Sequence, residues 1–196
     1  MAGPSPVRAQ PAARAEILDL DNALWRFVLP FYARDGVAPA CLTLQEGLGV
    51  DVNMLLFAIF AQVERGIMLE EDDLAAVDEL LRDWRGEVIE PLRRVRTRMK
   101  AGPSPAPSSR TEHLRNRIKA AELEAEQIAL AVLSAWLDAQ PGRPPGPVVD
   151  VERVPLMIAR YFQARPGAFA PEVNAAIETL SRAIRDASVT KTNLRS

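Results

Sequence analysis

From about residue 19 onward the apolar positions recur at spacings of three and four, the period of helices buried on one face; no stretch sustains the two-residue alternation of a strand. Leu24, Phe27, Val28 and Phe31 follow i, i+3, i+4, i+7 behind Asp21 or Asn22, either of which can cap a first turn. Pro30 should kink that helix or end its ladder early, and Gly36 can supply a left-handed stop. Val37, Ala40, Cys41, Leu44 and Leu48 repeat the period, with Pro39 tolerable in the first turn. The stretch GLGVDVNMLLFAIFAQ, residues 47–62, then sets two glycines, Asp51 and Asn53 directly before the eight-residue apolar run from Met54 to Ala61. A helix with no polar face belongs where it is surrounded, so this run predicts the centre of the fold.

A fourth helix opens on Glu70, Glu71, Asp72 and Asp73 and continues through Leu74, Val77, Leu80, Leu81, Trp84 and Val88 toward Lys100, with a kink expected at Pro91. Ser109 and Glu112 have capping-box spacing ahead of a long helix whose stripe is Leu114, Ile118, Ala121, Ala125, Ile128 and Val132. Leu156 to Gln163 and Pro171 to Ala187 read as two more helices. The expected class is therefore all-α, a compact bundle of about six to seven helices.

Prolines cluster at 4–11, 103–107 and 141–147, each with Gly or Ser alongside, and such patches stop helices on both sides. They divide the chain into a disordered tail 1–18, a helical core 19–100, a linker 101–109, a long helix 110–139 packed on the core, a linker 140–149, a helix pair 150–188 and a disordered tail 189–196. FYARDGVAP near 31 and FQARPGAFAP near 162 echo each other, which suggests one kind of helix stop used twice.

Charge alters this picture locally. The 24 basic and 26 acidic residues nearly balance, so no global field selects a polyanion or an anionic membrane. Residues 64–90, however, hold ten acids and three bases, and residues 91–119 nine bases and one acid. Arg93, Arg94, Arg96, Arg98 and Lys100, then Arg110, Arg115, Arg117 and Lys119, could meet phosphates. No aromatic residue is interleaved for stacking, and the acidic segment next door offers counter-charge within the protein, so nucleic acid is disfavoured as a partner.

Little recognisable chemistry is present. Phosphate-loop, dinucleotide and nucleophile-elbow motifs do not occur, and no cofactor is expected. Cys41, on an apolar helical face, reads as a small hydrophobe, and the lone His113 cannot assemble a metal site. The longest apolar run falls far below the roughly 20 residues that span a bilayer, and the N-terminus has no apolar signal core, so a cytoplasmic protein without membrane contact is expected. Asp51 reads first as the cap of the central helix; with Gln45 and Asn53 it could also line a polar pocket at that helix's end.

The stretch LWRFVLPFYARDGVAPACLTLQEGLGVDVNMLLF, followed by DWRGEVIEPLRRVR, resembles an uncharacterised family of short proteobacterial proteins. Its pattern falls here on Trp25, Tyr32, Ala33, Arg34, Gly36, Val37, Cys41, Leu42, Gln45, Asp51, Asn53, Trp84, Arg85, Pro91 and Arg93, with Asp35 where the family tends to have proline. The resemblance implies a bacterial cytosolic helical domain, has no activity to carry over, and marks the segment to 100 as a unit. Function is therefore expected to be non-enzymatic protein interaction through Trp25, Tyr32, Arg34, Trp84 and Arg85, the residue types that anchor interfaces. The alternatives are ligand binding or catalysis at Gln45, Asp51 and Asn53, and polyanion binding through 93–119. The helix 110–139 could also pair in a homodimer.

Overall fold

The structure, a computed structural model, describes residues 18–140 and 153–193. Its helices are α1 (Ala23–Tyr32), α2 (Val37–Leu48), α3 (Val52–Arg65), α4 (Glu71–Trp84), α5 (Glu90–Arg98), α6 (Ser109–Asp138), α7 (Arg153–Phe162) and α8 (Pro171–Asn193). A π-helical segment, Arg85–Ile89, joins α4 to α5, so those three form one rod and the described residues make seven helical rods with no strand. The expected class and count hold. The tail 1–17, the linker 141–149 and residues 194–196 lie outside the described residues.

α3 is the axis of the molecule. Every residue from Met54 to Gln62 is buried, and α1, α2, α4, α6, α7 and α8 all pack against it. The missing polar face of the sequence is thus accounted for by neighbours on every side. Its start is fixed locally: the Asp51 carboxylate accepts from the backbone N–H of Asn53 at 2.8 Å and of Met54 at 3.2 Å. Asn22 caps α1 in the same way, accepting from Trp25 N–H at 3.0 Å. Gly36 and Gly49 take the left-handed conformation on either side of α2, with φ of 76° and 73°.

Several local expectations change. Proline 91 does not simply bend the α4–α5 rod; the backbone upstream widens into a π turn, with Glu90 N–H bonding back to the Arg85 carbonyl. Pro91 has no N–H to donate and its ring would crowd the preceding turn, and the wider turn absorbs both problems. The capping box of α6 is Ser108 with Thr111, one residue before the expected pair, because Thr111 Oγ1 accepts from Ser108 N–H at 2.8 Å while Ser108 Oγ accepts from Thr111 N–H at 3.3 Å. α8 runs to Asn193, past the expected helix end. The two echoed segments do not share a stop, since Gly36 has positive φ and Gly167 does not.

α6 is 30 residues long, about 45 Å. Its buried residues all lie from Glu122 onward, against the core. The stripe is therefore used within the chain over its second half. Nothing but Gly102 is buried between 90 and 121; Leu92 in the first turn of α5 still packs against the core, and beyond it α5 and the first half of α6 pack chiefly on each other as a two-helix arm.

Candidate functional site

The N-terminal end of α3 opens into a cleft of about 570 Å³. Gln45 and Glu46 reach it from the end of α2, Asp51 and Asn53 from the start of α3, Asp78 from α4, Arg85 from the π segment, and Glu90 and Arg93 from α5. The sequence candidates Gln45, Asp51 and Asn53 thus share one wall. The structure adds Arg85 to them, a residue expected on an interaction surface.

Arg85 organises the cleft. Its Nη1 donates to Asp51 Oδ2 at 2.8 Å and its Nη2 to Asp78 Oδ1 at 2.5 Å. Asp78 Oδ2 accepts in turn from the Tyr161 hydroxyl at 3.1 Å, which ties α7 to the same network. Burial alone would lower the guanidinium's pKa, but hydrogen bonds and charge from Asp51 and Asp78 outweigh it and raise it. Arg85 is a fixed cation at any ordinary pH. Burial pushes the Tyr161 hydroxyl up, and Asp78 adds to that, so the phenol stays a proton donor.

A second network lies behind Arg93. Its Nε donates to Glu122 at 3.0 Å and its Nη2 to Glu126 at 2.6 Å, while Arg96 also pairs with Glu122. Glu122, only 5% exposed, would be raised by burial, but Arg96 and Arg93 more than reverse this and hold its carboxyl below the ordinary range. At Glu126 burial wins, with Glu122 and Asp51 reinforcing it against Arg93, and the pKa is raised. Tyr32 faces the same charges; its pKa is raised by burial, then by Cys41 and Glu126.

Both arginines of the cleft are therefore spent on carboxylates. The side chains it leaves open are the amides of Gln45 and Asn53 and the exposed carboxylates of Glu46 and Glu90, none of which bonds to another side chain among the described residues. All four present acceptor oxygens.

The other candidates are placed as follows. Trp84 is half-buried and its Nε1–H donates to the Ala125 carbonyl at 3.0 Å. Arg34 donates to the Ala183 carbonyl and lies over the Phe31 ring, and Trp25 and Tyr32 pack against the core from α1. On α5, Arg93 and Arg96 turn inward to α6 and not to the acidic segment 64–90, while Arg94 and Arg98, and Lys100 just past the helix end, are exposed. Cys41 is fully buried and its thiol is pushed up to about 12, so it holds no thiolate near neutrality. Asp78, Glu122, Glu126 and Tyr161 were not marked as site residues by sequence. Glu122 had a signal, since it falls beside Ala121 and Ala125 on the inward stripe, where a carboxylate requires a cation opposite.

Among the described residues, no group of His, Cys, Asp or Glu side chains is placed to hold a metal ion, and no helix is long and apolar enough to cross a membrane. Comparison with curated proteins and with solved structures returns no match. A family model does match, and it spans residues 23–133, further than the Leu24–Arg96 resemblance and far enough to take in most of α6. Of α6, the match takes in residues 109–133. The chain belongs to this family, described as protein of unknown function, DUF2390.

Proposed function

We propose that the chain is a non-enzymatic binding module of the cytoplasm whose recognition site is the cleft at the start of α3. The group it receives is a cationic multiple donor, an ammonium or guanidinium, carried by a small molecule or presented by a partner protein. One observation carries this reading: Arg85 and Arg93 are each paired with two carboxylates, so the side chains the cleft leaves without a side-chain partner are Gln45, Glu46, Asn53 and Glu90, two amides and two carboxylates with acceptor oxygens. The Asp51–Arg85–Asp78 network supports it, because a wall fixed in advance loses little entropy on binding. A lone, fully buried thiol suits a reducing compartment.

Thermal melting of the full chain with arginine, agmatine and spermidine tests the small-molecule source, and an arginine-rich peptide beside its alanine counterpart tests the partner source. Stabilisation by a cationic probe, lost in E46Q/E90Q, supports the reading. Indifference to every cationic probe, or a shift that survives E46Q/E90Q and N53A, would overturn it.

A further inference from the structure

Residues 91–119 carry nine bases and one acid, and the ion pairs show where that charge goes. Arg93 and Arg96 are neutralised by Glu122 and Glu126, and Arg115 by Glu112. Arg94, Arg98, Lys100, Arg110, Arg117 and Lys119 have no carboxylate partner among the described residues, and all six are exposed. The acidic segment 64–90 does not supply the missing counter-charge, since the pairs of α5 run to α6.

Folding explains part of this placement. On α5 the bases crowd the C-terminal turns, where the helix dipole favours cations. On α6 the dipole has the opposite sense, and Arg110 sits in the first turn against it. The connector 99–108 brings the end of α5 and the start of α6 to the same tip, so Arg98, Lys100 and Arg110 collect there with no acid among them. Like charges gathered on an arm that buries few whole residues repel one another, and an outside anion relieves that repulsion.

We propose that this arm, α5 with the first half of α6, docks on the phosphate backbone of a nucleic-acid duplex through Arg94, Arg98, Lys100, Arg110, Arg117 and Lys119. Residues 90–121 contain no Phe, Tyr or Trp, so the arm has no platform for unstacked bases, which favours a duplex over a single strand. The contact is to phosphates and carries little sequence preference. Because the whole chain has a formal charge of −2 and residues 91–119 carry nine bases and one acid, the rest of the chain has a net charge of −10 and is on balance repelled by the same ligand. The arm therefore leads.

The test is fluorescence anisotropy of labelled DNA and RNA duplexes with the full chain across a salt series. With six phosphate contacts, affinity should fall on the order of 10³-fold between about 50 and 200 mM salt. The variant R94Q/R98Q/R110Q/R117Q leaves the pairs to Glu112, Glu122 and Glu126 intact; it should keep its helical circular dichroism, bind at least tenfold more weakly and show a salt slope shallower by about 3 to 4. No binding at 50 mM salt, salt-insensitive binding, unchanged binding by the variant, or tighter binding to single strands would each overturn the proposal. So would sedimentation showing self-association at low salt that the variant abolishes, which would make the acidic surface of a second copy the occupant.

Discussion

Arg85 and Asp51 lie 34 residues apart and meet at 2.8 Å, so the cap of the central helix is also one half of an ion pair with the π segment. One carboxylate holds both: Oδ1 accepts from the first turn of α3, and Oδ2 from the guanidinium. The two roles separate by substitution. Asn caps nearly as well as Asp, so D51N should lose the charge pair alone, whereas D51A should lose about 1 kcal/mol more. R85A leaves Asp51, 8% exposed, as an unpaired buried charge and should cost about 3 kcal/mol. Denaturant titration of the single variants and of R85A/D51N should show strong non-additivity. Additive losses would mean that the contact carries no coupling.

The two carboxylates facing Arg93 should respond to pH with opposite signs. Glu122 has a lowered folded pKa, so its contribution is present above its unfolded value, about 4.3, and is lost as pH falls through the lower folded one. E122Q should therefore be destabilised by about 3 kcal/mol at pH 7, and the gap to the parent should narrow below about pH 4. Glu126 has a raised folded pKa, chiefly from burial, so its ionised form opposes folding and its protonation on acidification favours it. Relative to the parent, E126Q should fare better at pH 7 than near pH 4.5. Melting curves of both variants across this range check the signs.

These networks mark where sequence reading stopped. A cap reaches two or three residues, so Asp51 was legible from Asn53 and Met54 beside it, and the all-apolar run of α3 announced its own burial. Pro91 announced a disturbance, because its missing N–H is a property of the residue; whether the chain answers by bending or by widening into a π turn depends on what the rod packs against. By proximity in sequence, the acidic block 64–90 is the counter-charge on offer to Arg93 and Arg96. Their partners are instead on α6, 26 to 33 residues away, because the connector folds α6 back along α5. Tyr161 reaching Asp78 spans 83 residues and depends on where α7 docks, which no local pattern encodes.

Gly36 and Gly49 offer a matched pair, with nearly the same left-handed φ but different surroundings. A Cβ on Gly36 would stand 2.9 Å from Thr179 Cγ2 on α8, while one on Gly49 meets nothing within 4 Å. G49A should cost only the left-handed penalty, about 1 to 2 kcal/mol, and G36A distinctly more. Adding T179S, which deletes that methyl, should recover the excess in G36A and leave G49A unchanged. Equal losses in the two single variants would show that α8 yields at no cost.

Gln62 sets the last expectation, because it contradicts the apolar logic of the helix that carries it. It is 4% exposed on α3, and neither Oε1 nor Nε2 has a hydrogen-bond partner among the described residues. An unpartnered buried amide costs the desolvation of both its groups, about 1 to 3 kcal/mol, and an apolar side chain of similar shape removes that cost without opening a cavity. Methionine is such a side chain, unbranched and adaptable to the same space. The carbonyl of residue 62 would continue to accept from Gly66 N–H at the end of α3, since that bond does not involve the side chain. Q62M should therefore raise the melting temperature, with a stability gain of about 1 to 2 kcal/mol in denaturant titration. A loss of stability in Q62M would mean instead that the amide is satisfied in solution, by water or by a group that reaches it there.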